Sequence, residues 1–471
     1  MKTIAVLGGG SAGFTAARIA SKRGARVLFF MGDNADRASL CINAGCMPSK
    51  ALFEPIDAMH HARRHGWLEV KPKQPNEFLA QIVHWKDQEI AAFRAYRQEE
   101  IRALASDTFQ IIRANACFTD DHTLVSEGQP HSFDAAIIAT GSLTVRPPIA
   151  GLDPAWDGVW TSDDILNNTR IPESLAVIGT GAVGLEFSLR YARLGTRVTL
   201  ISRSGILPEY PLQFGARMAS IYEGENIRVL GHTKVARIER ERAGAFVVTT
   251  EGKETPSIEV EKILLATGRQ PAVDQLGLSK AGIVLDERGR LEIGEDMRVK
   301  GKAHFFAAGD VAGLRMVVHH AHIEAGIAAE NACTDGNRQW TKRSNIQIIF
   351  SDPEFAFAGC TPSAAEKDGH QLVSASAESR DIGKLHLAGD DCGFGEFWAE
   401  AKTGRLISAG LLCQDAANLI HLPAYAIDHE HGVHQLEDAE FYHPTKIEII
   451  AEIGDTLCRK LGGHPFARAA E

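Results

Sequence analysis

The chain begins with the apolar run "TIAVL". The run breaks on Gly8, Gly10 and Gly13, continues as Ala, Arg and Ile at helical spacing, and becomes apolar again from Val27 to Phe30. An apolar run of strand length, a glycine-rich turn, a helical period and a second apolar run predict a β-α-β unit. Gly8 permits the tight turn and Gly10 lets the backbone approach a pyrophosphate. Gly13 lets helix lie on strand, and Ser11 and Ala12 open a helix whose N-terminus faces the negative charge. The pattern recurs at "SLAVIGTGAVGLEFSLRYARLGTRVTLISRS", with Gly179, Gly181 and Gly184 in the three glycine roles and Val183 in the turn-to-helix step. Two such units predict two dinucleotides and an electron relay: a flavin held permanently and a nicotinamide that comes and goes.

The strand ends refine this picture. Met31 stands where the first unit would carry a ribose-binding acid, and Asp33 is the candidate substitute. In the second unit Ser202 and Arg203 take that place, and an arginine there can pair with a 2′-phosphate, so NAD(H) and NADP(H) both remain open. "AAIIATGS" and "KILLATGRQP" predict strands that pass close under a cofactor, placing Thr140, Gly141 and Gly268 beside it. "AHFFAAGDVAG" ends an apolar strand on Gly309-Asp310, an acid at a sheet's carboxyl edge suited to the hydroxyls of a flavin side chain.

A length of 471 residues allows about three domains, each with its own core. The net charge of -10 argues against a nucleic-acid-wrapping surface. No apolar stretch reaches the roughly 18 residues of a membrane helix. Glycines interrupt the N-terminal run where a signal peptide would stay apolar, so a cytoplasmic chain is expected. Eight cysteines are too sparse for a disulfide scaffold. Two of them sit close together in "CINAGCMPSK", where Pro48 is a good first-turn residue and the helix start favours thiolate. From these residues alone a metal clip, a staple and a redox dithiol all remain open. Cys117, Cys333, Cys360, Cys392 and Cys413 default to small buried hydrophobes, and Cys458 to a packed helix position. The histidine groups "VVHHAHIEAG" and "DHEHGVHQ" lack four ligands at zinc-like spacing, so no metal is assigned. The second group is expected in a solvated loop, and "MHHARRHGW" as a charged helix face.

Taken in order, GGGSAG, CINAGCMPSK, ATGS, GTGAVGLE, ATGRQP, AAGDV, FSDPEFAFAG and FYHPTKIE resemble the class I pyridine nucleotide-disulfide oxidoreductases. That is the family of dihydrolipoamide dehydrogenase, glutathione reductase and mercuric reductase. The resemblance implies an α/β fold with two Rossmann-like dinucleotide-binding domains, for FAD and NAD(P), and a C-terminal α+β dimerisation domain. Its divisions fall at 1–147 (FAD), 148–269 (NAD(P)), 270–342 (completing the FAD site) and 343–471 (interface).

By the same resemblance Cys41 is the interchange thiol and Cys46 the thiol beside the flavin. Lys50 lies near the flavin and pairs with Glu186. His443 shuttles protons and Glu448 orients it, the histidine coming from the other subunit of a homodimer. Ala116 and His319 join the FAD residues. Two departures stand out: the lead-in "DRASLC", with Leu40 where a hydroxyl is usual, and Phe441-Tyr442 before His443. The closing stretch "HPFARAAE" carries no cysteine pair of the kind mercuric and large thioredoxin reductases use. The favoured reading is dihydrolipoamide dehydrogenase-like, with a small dithiol such as a lipoyl group on a carrier protein as substrate. The alternatives are a glutathione- or mercuric-reductase-like NADPH enzyme, or a flavin NAD(P)H oxidase or quinone reductase.

Overall fold

A computed structural model describes residues 1–32, 39–64, 66, 72–241, 244–251 and 256–463. Asp33 and most of the DRASL lead-in lie outside the described residues.

The first apolar run becomes the central strand of a five-stranded parallel sheet. The strand order is Phe305–Ala307, Ala135–Ile138, Thr3–Leu7, Arg26–Phe30, Phe109–Ile112. Both faces are covered, which is why these strands read as unbroken apolar runs and not as alternations. Val27 and Phe29 enter the core on one side, with Leu28 and Phe30 in the core on the other. On the first side helix Ser11–Lys22 packs against helix Val318–Thr334. A segment more than 300 residues downstream thus closes the same layer as the N-terminal turn.

The repeated motif builds a second parallel sheet with the strand order Arg228–Leu230, Arg197–Ile201, Ser174–Ile178, Lys262–Leu265, Val159–Trp160. An antiparallel pair, Ser142–Thr144 with Arg269–Pro271, lies where the chain passes between the two sheets and back. The third sheet is antiparallel, in the order 347–349, 354–359, 406–413, 394–400, 372–378, and helix Glu448–Lys460 packs against two of its strands. An aromatic seam welds it to the second sheet's layer: Phe214 stacks on Phe394 and meets Phe355 edge-on, and Tyr210 meets Phe355 and Phe357. Among the described residues no helix is long and apolar enough to cross a membrane.

Several sequence expectations need correcting. Of the five cysteines read as small buried hydrophobes only Cys413 is buried. Cys360 and Cys392 are exposed, and Cys117 and Cys333 half-buried. Cys458 does pack, on helix Glu448–Lys460. The second histidine group is an exposed turn only at its centre: His429 and His431 lie between helices His421–Asp428 and Val433–Glu437, beside the exposed Tyr425 ring, and His434 is on the second helix. The 59–64 segment is charged but not simply solvated, because Met59 is buried and His60, His61 and Arg64 face acids from other elements.

Candidate active site

The two glycine turns form two copies of one backbone device. A Cβ on Gly8 would lie 2.2 Å from the Ala139 carbonyl oxygen, and one on Gly13 1.8 Å from that of Gly8. The second copy repeats this closely, with Gly179 at 2.2 Å from Ala266 O and Gly184 at 2.0 Å from Gly179 O. Backbone approaches backbone at these four positions, so no side chain fits. Gly10, Gly141, Gly181 and Gly268, by contrast, have no atom of the described residues within 4 Å of a Cβ. Gly10 and Gly181 cap helices Ser11–Lys22 and Ala182–Arg193, and neither helix start has a side-chain cap. Free N–H groups beside an open cradle are what a pyrophosphate requires, so the residues present fit FAD at the first turn and NAD(P) at the second.

A chain of hydrogen bonds gathers the three strand-end motifs under the first cradle. Ser142 Oγ donates to Asp310 Oδ2 at 2.5 Å, and Arg269 Nε donates to Ser142 Oγ at 2.8 Å. Thr140 Oγ1 donates to Ala272 O at 2.6 Å. Asp310 and Thr140 were predicted; Ser142 and Arg269 were missed, although both stand inside the quoted ATGS and ATGR motifs. Ala116 is half-buried near the first sheet's edge and His319 exposed at the start of helix Val318–Thr334. In the second site the Ser202 hydroxyl is committed internally. It accepts from Thr180 Oγ1 at 2.9 Å and donates to Gly205 O at 2.8 Å, whereas Arg203 is exposed.

Both close cysteines are free thiols, Cys41 half-buried and Cys46 exposed. Cys41 lies in the short helix Leu40–Ala44 and Cys46 is the first residue of helix Cys46–Arg63. Gly45 makes the bend between them: a Cβ there would sit 3.0 Å from Leu40 O and 3.1 Å from the Cys41 Cα. The two sulfurs differ as acids. The hydrogen bond from Cys41 lowers the Cys46 pKa to about 7, with Lys50 contributing positive charge, and the same bond together with burial pushes Cys41 up. The helix start adds to the preference for a Cys46 thiolate.

Lys50, one turn into that helix, donates to Glu186 Oε2 at 2.7 Å. Glu186 is buried on the helix of the second dinucleotide unit, and its other oxygen accepts from the Phe350 amide at 3.0 Å. The first and second units therefore meet at helix Cys46–Arg63.

His443 and Glu448 pair as Nδ1 to Oε1 at 2.7 Å, and Thr445 N donates to Glu448 Oε2 at 2.9 Å. The His443 hydrogen bond and the Thr445 amide together hold the Glu448 carboxylate below its ordinary pKa. The His443 side chain is 79% exposed and neighbouring Tyr442 equally so. This pair stands on the outer surface of the third sheet's layer.

One group of possible metal ligands is present among the described residues: Asp121, His122 and His304. The two rings stack at 4.4 Å with planes 7° apart, and Lys302 binds Asp121 at 2.8 Å. Parallel rings cannot both aim in-plane lone pairs at one ion, and the ammonium occupies the carboxylate.

Two nucleotide cradles converging on a cysteine pair define a class: flavoprotein disulfide oxidoreductases that use FAD and NAD(P)H. The comparisons give the family. The model of the pyridine nucleotide-disulphide oxidoreductases matches residues 2–325, and that of their dimerisation domain matches residues 346–453. The chain belongs to this family, and the dimerisation domain supports a homodimer. It is 31% identical over 94% of its length to a mercuric reductase of Shigella flexneri, 79% of which is covered. It is 30% identical over 97% of its length to a dihydrolipoyl dehydrogenase of Thermus scotoductus, covered to 98%. The HOCl-induced flavoprotein disulfide reductase RclA from Escherichia coli shares the fold. Its TM-score is 0.84 at 24% identity, covering 96% of this chain and 99% of that one.

Proposed function

We propose that this enzyme exchanges electrons between a small dithiol/disulfide and NAD(P) in the manner of a dihydrolipoamide dehydrogenase. Cys41 is the interchange thiol and Cys46 the thiol facing the flavin. The observation that carries the assignment is the placement of Cys46 as the first residue of its helix, one turn before the Lys50–Glu186 pair, with Cys41 on the preceding short helix; the lowering of Cys46 and raising of Cys41 agree with it. In the oxidising direction His443 takes the proton from a substrate thiol. The resulting thiolate attacks the Cys41 sulfur of the Cys41–Cys46 disulfide, and the S–S bond breaks with Cys46 leaving as thiolate. The second substrate thiol then attacks the substrate sulfur of the mixed disulfide, breaking its bond to Cys41, and its proton passes to the departing Cys41 sulfur. Oxidised substrate leaves with Cys41 as thiol, Cys46 as thiolate and the first proton on His443, which releases it to solvent. The substrate has lost two electrons and the cysteine pair has gained them. Bound FAD and NAD(P) supply the relay that restores the disulfide.

Glu448 fixes the His443 ring through Nδ1, which leaves Nε2 to face the substrate. An exposed His443 suits a residue that completes the site of the partner subunit in the homodimer. In the nicotinamide site Arg203, exposed beside an internally committed Ser202, is placed to pair with a 2′-phosphate, and NAD(H) and NADP(H) both remain open. The same reading divides the chain at 1–147 for FAD, 148–269 for NAD(P), 270–342 completing the FAD site and 343–471 for the interface. A cytoplasmic setting, where scattered thiols stay reduced, fits the cysteine usage.

The test is steady-state turnover with NADH and NADPH against lipoamide, glutathione disulfide and mercuric ion, in the wild type and in Cys41→Ser. Lipoamide turnover lost in the variant is expected. Activity with glutathione disulfide or mercuric ion alone overturns the substrate assignment, and activity that survives Cys41→Ser overturns the thiol mechanism.

A further inference from the structure

The redox lysine is held by more than its glutamate. Phe350 lies in the loop that joins strands Gln347–Ile349 and Glu354–Gly359 of the third sheet. Its amide donates to Glu186 Oε1 at 3.0 Å, and its carbonyl accepts from Arg190 Nη1 on the same helix, one turn further on. Its ring lies under the ammonium of Lys50, 4.2 Å from Nζ to the centroid, nearer than the second ring, Phe53, at 5.6 Å. Glu186 therefore has each carboxylate oxygen committed, one to Lys50 and one to Phe350, and Lys50 has an anion on one side and an aromatic face on another.

The loop itself is anchored. Asp352, two residues on and buried, accepts from Arg193 Nη2 at 2.8 Å and Arg64 Nη2 at 3.1 Å, and pairs with His61 Nε2 at 2.9 Å. Arg64 and His61 lie at the far end of the helix that begins with Cys46. Arg193 closes the helix that carries Glu186. The loop thus grips both helices of the redox site at their far ends and reaches back with Phe350 to the near one.

We infer that Phe350 is a positioning residue of the redox centre: its amide fixes Glu186 and its ring confines the Lys50 ammonium beside Cys46. The inference rests on the reading of Cys46 as the flavin-facing thiolate. Without the ring, Lys50 retains Glu186 but gains freedom and water, and an ammonium further from a sulfur, in a wetter setting, stabilises thiolate less.

The experiment uses two variants of the holoenzyme, Phe350→Leu, which keeps the amide and removes the aromatic face, and Phe350→Tyr, which keeps both. Each enzyme is reduced by two electrons, and the long-wavelength thiolate–flavin absorbance is titrated with pH, its midpoint reporting Cys46. The expected result is a midpoint near the wild type for Phe350→Tyr. For Phe350→Leu it rises by about one pH unit, roughly a tenfold loss of thiolate at a pH below the midpoint. A Phe350→Leu midpoint equal to the wild type's, with or without a lowered melting temperature, overturns the inference and leaves a merely structural residue. Absence of the thiolate–flavin band in the wild type refutes the reading of Cys46 itself, and is told apart by arising before any substitution at position 350.

Discussion

Glu324 gives the sharpest quantitative handle on the flavin cradle. It is fully buried on helix Val318–Thr334, with Oε2 accepting from the Gly309 amide at 2.7 Å and Oε1 lacking a partner among the described residues. Burial lifts its pKa from an ordinary 4.5 to about 7, against the pull of the Gly309 amide and Arg315, with Asp310 adding repulsion. A carboxyl raised in the folded state binds a proton that the unfolded chain has already released. Stability therefore falls as pH climbs from about 4.5 to about 7, then levels off, a loss of ~3 kcal/mol.

Glu324→Gln preserves shape and an oxygen for the Gly309 amide, and its other terminus inherits the unpartnered position at every pH. The variant thus carries one constant cost and loses one pH-dependent cost. Urea unfolding of the holoenzyme at pH 5 and pH 8, followed by tryptophan fluorescence, separates them. The difference between variant and wild type should move in the variant's favour by about 2–3 kcal/mol between the two pH values. Stability curves that stay parallel across this range refute a protonated buried Glu324.

Asp352→Ala takes their shared carboxylate from Arg64 and His61 and leaves Arg193 with Asp57 and Glu225 alone, and breaking a buried network of this kind costs about 3–5 kcal/mol. The wild-type contribution, which comes from a carboxyl held below its ordinary value, is complete above about pH 4 and fades as pH falls, so the variant's acid unfolding should be flatter. Gly13→Ala places a methyl 1.8 Å from a carbonyl oxygen and should yield protein without yellow flavin, whereas Gly10→Ala, with open space before it, should fold and bind flavin more weakly. Glu448→Gln removes the carboxylate that orients His443 and should lower disulfide turnover by about 10²-fold while sparing flavin content, read by turnover with lipoamide against flavin absorbance.

The parts of this enzyme that are legible in its sequence are those whose physics is local. A glycine that must admit a neighbouring backbone, an apolar run buried on both faces, and a proline that starts a helix behind a cysteine each declare themselves within a few residues. Glu186 and Glu448 were reachable because family motifs carry them. Phe350, Ser142, Arg269 and Asp352 were not, for a common reason. Each works through a partner brought close only by the fold: Phe350 sits 300 positions from Lys50, and Asp352 is buried among cations drawn from two other layers. A phenylalanine before Ser-Asp-Pro reads as one more apolar residue, and an aspartate before proline as a turn former. The same loop shows why the third sheet does more than pair subunits. It clamps the far ends of the cysteine helix and the glutamate helix through Asp352, and the near end through Phe350. A displacement of the dimer layer would therefore be felt at Lys50, so loosening that loop should act on the Cys46 thiolate before it acts on either nucleotide cradle.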